Sequence, residues 1–275
     1  EDVLCKVEPG VINDELNRVL KPYGFFFPPT PSSGMICTIG GMIGTNASGN
    51  RSVKYGATRD AVLGLKVILA NGELVTLGSN TRVDSSGYQL AKLMVGSEGT
   101  LGVVVEATLQ ISPLPKYRMM GVANFSTLED AGRMISDTIA SGITPSMLEL
   151  MDNVAITAVN NAQQLGLPDV AAIVIFECNG MVKEAVDHEM KQISEICEKH
   201  HGTGVKMSDD PKEMKRIYEG RQKLFPSLSR YGEGMVSTAL ADDMAVPMSK
   251  IADTCLLYTS PSPRDRTRSR MPSSA

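Results

Sequence analysis

The chain reads Thr38-Ile-Gly-Gly-Met-Ile-Gly-Thr-Asn-Ala-Ser-Gly49 and, further along, Val95-Gly-Ser-Glu-Gly-Thr-Leu-Gly102. Both stretches are glycine clusters set at the ends of apolar runs. Glycine permits a positive φ and lets the backbone approach a ligand that a Cβ would keep away. Two such stretches in one fold predict a bound cofactor with a long backbone, lying against main-chain N–H groups.

Other readings of the two stretches are weaker. No Gly-Lys-Ser/Thr follows the second one, so it is not a Walker P-loop. No G-x-G-x-x-G follows a strand, which disfavours a Rossmann nicotinamide site. The first stretch could also be a plain β-turn, although Asn46 carries both a donor and an acceptor that suit a polar ring edge or a phosphate. Glu98 either caps a turn or serves the cofactor, and its spacing leaves both open.

Composition narrows the class of protein. The chain has 275 residues, of which 42% are hydrophobic, and a net charge of −4. This length accommodates one large domain or two modest ones, and a mildly acidic body argues against nucleic acid as a partner. The chain contains no run of about 18 apolar residues, so we expect no transmembrane segment. The five scattered cysteines contain no C-x-x-C pair, which predicts reduced thiols and a cytoplasmic location.

The first part of the chain is rich in strand signals. We predict a hairpin in which Val62–Leu69 and Leu74–Leu77 flank the turn dipeptide Asn71-Gly72. Leu101–Ile111 is a second long β run, and Pro113 ends it.

The second part alternates strands and helices. A strand at 120–125 leads into a capping box, Ser126-Thr-Leu-Glu129, that opens a helix. A second helix is expected from Ser146 to Leu165, a buried strand at Ala171–Cys178, and an amphipathic helix from Val182 to His200. This alternation predicts an α+β domain separate from the first part.

We therefore divide the chain into three parts: residues 1–114, 115–255 and 256–275. The last part is rich in Pro, Ser and Arg and has no hydrophobic period, so it cannot fold alone. It is expected to be a non-native or disordered tail, either a tag or cloning scar or a basic nucleic-acid arm.

Arg221 is the candidate for substrate binding. It lies in Tyr218-Glu-Gly-Arg-Gln-Lys-Leu-Phe-Pro226. A guanidinium can hold a carboxylate through two parallel hydrogen bonds. The local sequence supports a solvated surface charge equally well.

Taken together, these stretches resemble FAD-binding flavoproteins of the vanillyl-alcohol-oxidase or PCMH type. The resemblance points to the branch of D-lactate dehydrogenases, D-2-hydroxyglutarate dehydrogenases and the glycolate oxidase D subunit. It is carried by the following segments: Pro29–Ser33, Thr38–Gly41, Thr45–Gly49, Lys54–Gly56, Val67–Gly72, Ser86–Tyr88, Val95–Gly102, Pro113–Pro115, Glu149–Asp152 and Asp243–Pro247.

The resemblance implies an α+β fold and FAD as cofactor. The chain would comprise the C-terminal part of a PCMH-type FAD-binding domain, followed by a truncated, ferredoxin-like cap domain. Arg221 matches the position that holds the substrate carboxylate. The implied FAD contacts are Pro29, Ser32, Ser33, Thr38, Gly40, Gly41, Asn46, Gly49, Tyr55, Gly56, Glu98, Gly99, Gly102 and Val103.

The resemblance also implies a reaction. A 2-hydroxy acid of the glycolate or D-lactate type would lose a hydride to the flavin while a base removes the hydroxyl proton. Electrons would pass to a quinone, a cytochrome or a partner flavoprotein. The expected location is the cytoplasm or the membrane periphery.

Three departures from the family pattern qualify this expectation. Thr30 replaces the usual Asp, residues 1–37 show no glycine-rich pyrophosphate loop, and the match stops near Ala252. We therefore expect a fragment truncated at both ends, with little activity. Its catalytic base is unknown, and a divalent metal is expected only in the full-length protein. The alternatives are a non-catalytic flavin-binding subunit and an alkyl-dihydroxyacetone-phosphate synthase-like enzyme.

Overall fold

A computed structural model describes residues 2–228, 246–247, 250–251 and 253–254. The described residues divide into two compact units. The first contains residues 2–118, 144–148 and 176–186, and the second contains residues 119–143, 149–175 and the described residues from 187 onward.

In the described part of the chain we number ten strands and ten α-helices, and a 3-10 turn at Lys21–Tyr23 follows the first helix. The strands are β1 (Leu4–Val7), β2 (Phe25–Phe26), β3 (Val62–Ile68), β4 (Leu74–Gly78), β5 (Val103–Gln110), β6 (Ser112–Pro113), β7 (Tyr117–Phe125), β8 (Met147–Asp152), β9 (Ala172–Gly180) and β10 (Thr203–Ser208). The helices are α1 (Asn13–Leu20), α2 (Ile39–Thr45), α3 (Ser52–Tyr55), α4 (Thr58–Ala61), α5 (Leu90–Met94), α6 (Leu128–Ala140), α7 (Asn153–Gln163), α8 (Lys183–Lys199), α9 (Pro211–Gln222) and α10 (Leu224–Leu228). None of these helices, all in the described part of the chain, has the length and apolar character that a membrane crossing requires.

The first unit is built on an antiparallel sheet with the strand order β1-β5-β3-β4. The predicted hairpin is confirmed, because β3 and β4 pair in register from Gly64 opposite Gly78 to Ile68 opposite Leu74. Gly72 in its turn has a φ of +83°, which glycine adopts at no steric cost. Alternate residues of β3 face the core, where Leu65 and Val67 are buried.

Helix α2 in this unit differs from the conformation that the sequence predicts. The Thr38–Gly49 stretch was expected to be a loop with positive φ, and that expectation is wrong for residues 39–45. Thr38 is the N-cap of α2, its Oγ1 accepting from the Gly41 N–H at 3.0 Å, and Asn46 ends the helix at a φ of +51°. Three buried apolar residues anchor the helix despite the low helix propensity of glycine: Ile39, Met42 and Ile43.

The second cluster does have the positive φ that the sequence suggests. Gly96 has a φ of +88° and Gly99 a φ of +78°. In the first cluster glycine serves close packing instead. A Cβ on Gly40 would lie 2.7 Å from the Cβ of Pro9, which is closer than real contacts allow.

A second four-stranded sheet has the order β10-β7-β9-β8. Counted from β7 along the chain, this order is 4-1-3-2, the ferredoxin-like arrangement. The helices α6, α7 and α8 connect its strands in sequence. The predicted fold class, α+β with a ferredoxin-like C-terminal part, is confirmed.

The expected helix from Ser146 to Leu165 is wrong in its first third. Residues Met147–Asp152 form β8, and the helix α7 begins only at Asn153. Asp152 is its N-cap, with the carboxylate accepting from the Ala155 N–H at 2.8 Å. Met, Leu and Glu favour helices, but pairing within the sheet overrides that preference.

The capping box of α6 is shifted by one residue from its predicted position. Thr127, not Ser126, is the N-cap, and its Oγ1 accepts from the Asp130 N–H at 3.1 Å. The third residue into the helix is therefore Asp130 and not Glu129.

The predicted tail at 256–275 lies outside the described residues. So do residues 243–245 of the matching segment Asp243–Pro247. The domain boundary near residue 114 stays a prediction.

Candidate functional site

A cleft of about 420 Å³ lies in the first unit, between the α2 helix and the loop that precedes β5. Six of the residues proposed from the sequence line it: Thr38, Gly40, Gly41, Gly99, Gly102 and Val103. The remaining lining residues are Pro9, Gly10, Ile43, Gly44, Met94, Ser97 and Val104. The two glycine stretches thus meet at one surface.

Backbone hydrogen bonds join the two stretches. The Gly96 N–H donates to the Ile43 carbonyl at 2.9 Å, and the Glu98 N–H donates to the Gly44 carbonyl at 3.0 Å. Both carbonyls belong to the last turn of α2, where helix carbonyls lack an intrahelical N–H donor, and the Ile43 carbonyl also accepts from the Asn46 N–H at 3.3 Å. The second loop supplies these partners and is thereby fixed against the helix.

The cleft is open because several of its lining residues are glycines, which have no side chain to fill it. At Gly10 and at Gly99 an added Cβ would meet no other heavy atom within 4 Å, although both residues line the cleft. The nearest atom to a Cβ on Gly44 lies 4.0 Å away. The volume of the cleft falls in the range of about 300–1,000 Å³ that is common for small-molecule sites. A surface of exposed main chain in a cleft of this size fits part of an extended cofactor such as FAD.

A second group of proposed residues forms a turn beside Gly49. The carbonyl of Pro29 accepts from Asn13 Nδ2 at 3.2 Å, and the carbonyl of Ser33 accepts from two following amides at 2.9 Å. A Cβ on Gly49 would lie 2.3 Å from the Thr30 carbonyl oxygen, so only glycine allows this close backbone approach. Ser32 and Ser33 are exposed.

The Asn46 side chain forms a hydrogen bond inside the protein. Its Oδ1 accepts from the Arg59 N–H at 2.9 Å, and Arg59 Nη2 donates to the Val95 carbonyl at 2.8 Å. Asn46 therefore ends α2 and, through Arg59, supports the start of the second glycine stretch. Its contact with FAD, like that of Glu98 at a φ of +50°, stays a prediction.

Tyr55 and Gly56 lie at the end of the short helix α3. The Tyr55 hydroxyl donates to Asn179 Oδ1 at 2.9 Å, and its ring packs edge-on against Phe26 with the centroids 5.4 Å apart. Burial raises the pKa of Tyr55 above its ordinary value, and the Asn179 hydrogen bond opposes this in part. Gly56 has a φ of +75°, and a Cβ there would lie 2.4 Å from Asp60 Oδ2.

A buried carboxylate near these residues was missed at the sequence level. Glu177 is 1% exposed. Its Oε2 accepts from Arg118 Nη2 at 2.6 Å, its Oε1 accepts from Ser146 Oγ at 2.8 Å, and Arg51 Nη2 lies 3.6 Å from Oε1. The signal was a single acid inside the apolar run Ile173-Val-Ile-Phe-Glu-Cys178.

The ionisation of Glu177 follows from these partners. Burial alone raises the pKa of this carboxyl, but the charge of Arg51 and the hydrogen bond and charge of Arg118 lower it more. The pKa lies below its ordinary value, so the group is a carboxylate at neutral pH. A buried charge of this kind is tolerated only when it is paired and hydrogen-bonded.

Arg221 lies on α9 in the second unit. Its Nε donates to a Glu149 carboxylate oxygen, and the Arg221 and Glu149 side chains are 31% and 15% exposed. The preceding residue, Gly220, lines a cavity of about 320 Å³ with Met151 and Ile175 among its walls. The guanidinium is therefore a partly buried, carboxylate-held group and not a solvated surface charge.

Comparison with known families agrees with this geometry. Residues 114–257 match the family described as FAD linked oxidases, C-terminal domain, and residues 1–78 match the FAD binding domain family.

Two curated relatives are similar over most of the chain. The glycolate oxidase subunit GlcD of Bacillus subtilis (strain 168) is 37% identical over 92% of this chain and 53% of its own length. The mitochondrial D-lactate dehydrogenase [cytochrome] of Arabidopsis thaliana is 39% identical over 92% of this chain and 44% of its own length. The chain thus spans about half the length of the curated relatives it matches.

A solved structure of an alkyldihydroxyacetonephosphate synthase shares the fold. It superposes with a TM-score of 0.64 at 21% identity, covering 82% of this chain and 44% of the synthase. Taken with the glycine-built cleft and the ferredoxin-like sheet, the match over residues 114–257 shows that the chain belongs to the family of FAD-linked oxidases.

Proposed function

We propose that this chain is the flavin-binding part of an enzyme that oxidises a 2-hydroxy acid of the glycolate or D-lactate type to the 2-oxo acid. The observation that carries the proposal is the cleft in which the two glycine stretches meet. The names of the curated relatives support the substrate class.

FAD would be held mainly by main-chain groups of the first unit. The proposed contacts are the cleft residues Thr38, Gly40, Gly41, Gly99, Gly102 and Val103 together with Pro29, Ser32, Ser33, Asn46, Gly49, Tyr55, Gly56 and Glu98. When bound, the flavin supplies an acceptor for a hydride. The glycine-lined wall admits the cofactor, while the hydrogen bonds of Gly96 and Glu98 to α2 keep the wall rigid.

Arg221 would hold the substrate carboxylate. A guanidinium carries five N–H donors in a rigid plane and can bind two carboxylates at different edges. Glu149 accepts from Nε, and this contact orients the plane for the substrate. Fixing the substrate carboxylate fixes the α-carbon from which the hydride leaves.

The proposal assigns no residue of this chain as the catalytic base. Within residues 2–228 and the short described stretches after them, no group of three or more His, Cys, Asp or Glu side chains is placed to hold a metal. The proposed electron acceptor is a quinone, a cytochrome or a flavoprotein partner, with the enzyme in the cytoplasm or at the membrane periphery.

The test is anaerobic flavin reduction. The protein is loaded with FAD and desalted, and its visible flavin bands are recorded before and after addition of D-lactate, glycolate or L-lactate. Because this chain is expected to have little activity, the bands are followed over hours, and bleaching by D-lactate or glycolate, with L-lactate slower, supports the proposal. Retained flavin that no 2-hydroxy acid reduces would instead support a non-catalytic flavin-binding subunit. A protein that retains no flavin contradicts both.

A further inference from the structure

A polar cluster centred on the buried residues Glu177 and Asn179 links two stretches of the first unit that are far apart in sequence. We call it the Glu177 cluster. Its members are Arg51, Lys54, Tyr55, Arg118, Ser146, Glu177 and Asn179. The first three residues lie in the segment that matches the FAD binding domain, and the other four lie in the segment that matches the FAD-linked oxidase C-terminal domain.

Two residues of β9 organise the cluster. Glu177 accepts from Arg118 and Ser146 and pairs with Arg51. Asn179 is 3% exposed. Its Oδ1 accepts from Lys54 Nζ at 3.0 Å and from the Tyr55 hydroxyl at 2.9 Å, while its backbone carbonyl accepts from Lys54 Nζ at 2.6 Å. The Asn179 Nδ2 donates to Glu177 at 3.4 Å.

The helix α3 depends on these contacts. It has only four residues, Ser52–Tyr55, and a single helical turn is not stable by itself in water. Gly49 N–H donates to Ser52 Oγ at 2.9 Å at one end, and Gly56 leaves the helix at a φ of +75° at the other. The side chain of its N-cap residue, Arg51, reaches Glu177, and those of its last two residues, Lys54 and Tyr55, reach Asn179.

We propose that Glu177 and Asn179 are positioning residues for the flavin. They act through Arg51, Lys54 and Tyr55, and they hold the backbone at Tyr55 and Gly56 in the conformation that binds FAD. This inference rests on the proposed function in one respect, the contact of Tyr55 and Gly56 with FAD.

The charges of the cluster allow a sharp test. The cluster contains three basic side chains and one carboxylate, and two of the basic side chains, Arg51 and Arg118, pair with that carboxylate, so the cluster has an excess of positive charge. Replacing Glu177 by Gln increases that excess. If the cluster acted only by attracting the anionic pyrophosphate of FAD, Glu177→Gln would tighten FAD binding. If Glu177 acts by positioning, the same change weakens it. The two roles therefore predict opposite signs.

The experiment measures FAD dissociation from the holoprotein for wild type, Glu177→Gln and Asn179→Leu. Gln keeps the acceptor for Ser146 Oγ, and Leu keeps the branching and the number of side-chain heavy atoms of Asn while removing its hydrogen-bonding groups. The control is Glu129→Gln, which removes an exposed carboxylate paired with Arg133 at 2.5 Å. We expect both cluster variants to bind FAD roughly tenfold more weakly, by analogy with the lower end of the loss seen when the hydrogen-bond partners of metal ligands are replaced. The control should match wild type.

Amide hydrogen exchange in the FAD-free protein provides the second readout. We expect the amides of residues 52–56 to exchange faster in both cluster variants while those of the β3–β4 hairpin are unchanged. Unchanged or tighter FAD binding, or unchanged exchange at 52–56, would overturn the inference. If wild type itself retains no FAD, the proposed function fails, and the exchange result still decides whether Glu177 and Asn179 position α3.

Discussion

The amide of Glu98 donates a hydrogen bond of 3.0 Å to the carbonyl of Gly44. With the bond from Gly96 to Ile43, it joins two glycine stretches that lie far apart in sequence. Helix carbonyls at a C-terminus normally find water or a local cap. Here they hold a loop, so that residues of both glycine stretches line the same cleft.

Gly99→Ala should reduce flavin retention as well as folding stability. Alanine at a φ of +78° costs about 1–2 kcal/mol in backbone strain, and its methyl group would stand in the open space beside the cleft. We expect FAD to dissociate roughly tenfold more readily, equivalent to about 1.4 kcal/mol. Flavin fluorescence during dilution measures this.

Gly72→Ala is the matched control. Gly72 has a φ of +83°, and a Cβ there also meets no heavy atom within 4 Å, but the residue is in the β3–β4 turn. The two variants should lose similar unfolding free energy. Equal losses of FAD affinity in both would show that the cleft is not the flavin site.

Arg221→Lys should raise the KM for the 2-hydroxy acid by about 10- to 100-fold, since a charge-assisted hydrogen bond contributes about 1.5–3 kcal/mol. FAD retention should be unchanged. Glu149→Gln should raise KM less, because it frees the orientation of the guanidinium without removing it. Steady-state kinetics separate these effects. The control is Arg133→Lys, in an exposed pair with Glu129 on α6, which should leave KM at the wild-type value. If Arg221→Lys also has the wild-type KM, Arg221 does not hold the substrate carboxylate.

Glu177 should make folding stability depend on pH in a defined window. Its pKa in the folded protein lies below the ordinary value of 4.5. A depressed carboxyl pKa contributes stability that is present above the unfolded pKa and is lost as pH falls through the folded pKa. Wild type should therefore exceed Glu177→Gln by a constant amount above pH 4.5, and the difference should shrink at lower pH.

The expected difference at neutral pH is about 2–3 kcal/mol, the low end for breaking a buried pair, because the arginine partners are partly exposed. Urea unfolding at several pH values measures it. Glu129→Gln should change stability by well under that amount at every pH. A wild-type advantage that grows below pH 4.5 would contradict the ionised state of Glu177.

Two cysteines should resist alkylation in the native protein. Burial raises the pKa of Cys5 to about 11, and burial together with the charge of Glu198 raises the pKa of Cys197 to about 12. Because the thiolate is the reactive form, iodoacetamide at neutral pH should label neither until the protein is unfolded. Peptide mass spectrometry reads out each site. Rapid native labelling of Cys197, which is fully buried, would show that α8 opens readily.

Local chemistry decided how much of the fold could be predicted. The Asn71-Gly72 turn specifies its hairpin within a few residues, so the sequence predicts it. β8 could not be predicted in the same way, because Met147–Asp152 contains helix-forming residues that become a strand only through pairing with β9. The α2 helix escaped prediction since three glycines oppose it and only buried Ile39, Met42 and Ile43 support it.

The candidate site likewise has one part that the sequence predicts and one part that it does not. The glycine positions of the cleft are visible in sequence because close approach demands that residue type. The Glu177 cluster is not visible, since Arg51, Arg118, Ser146 and Glu177 share no local pattern and meet only when the chain is folded. Only the unexpected acid within an apolar strand hints at it.

The pairing of Arg51 with Glu177 and of Tyr55 with Asn179 bears on recombination between relatives. The N-terminal and C-terminal family segments each carry half of this polar arrangement, so neither is an interchangeable module. A chimera that joins residues 1–78 of one homologue to the C-terminal segment of another would need to inherit both halves. Mismatched halves would bury a carboxylate or an arginine without its counterpart. Recombination of this chain with a homologue is therefore constrained at residues 51, 54, 55, 177 and 179.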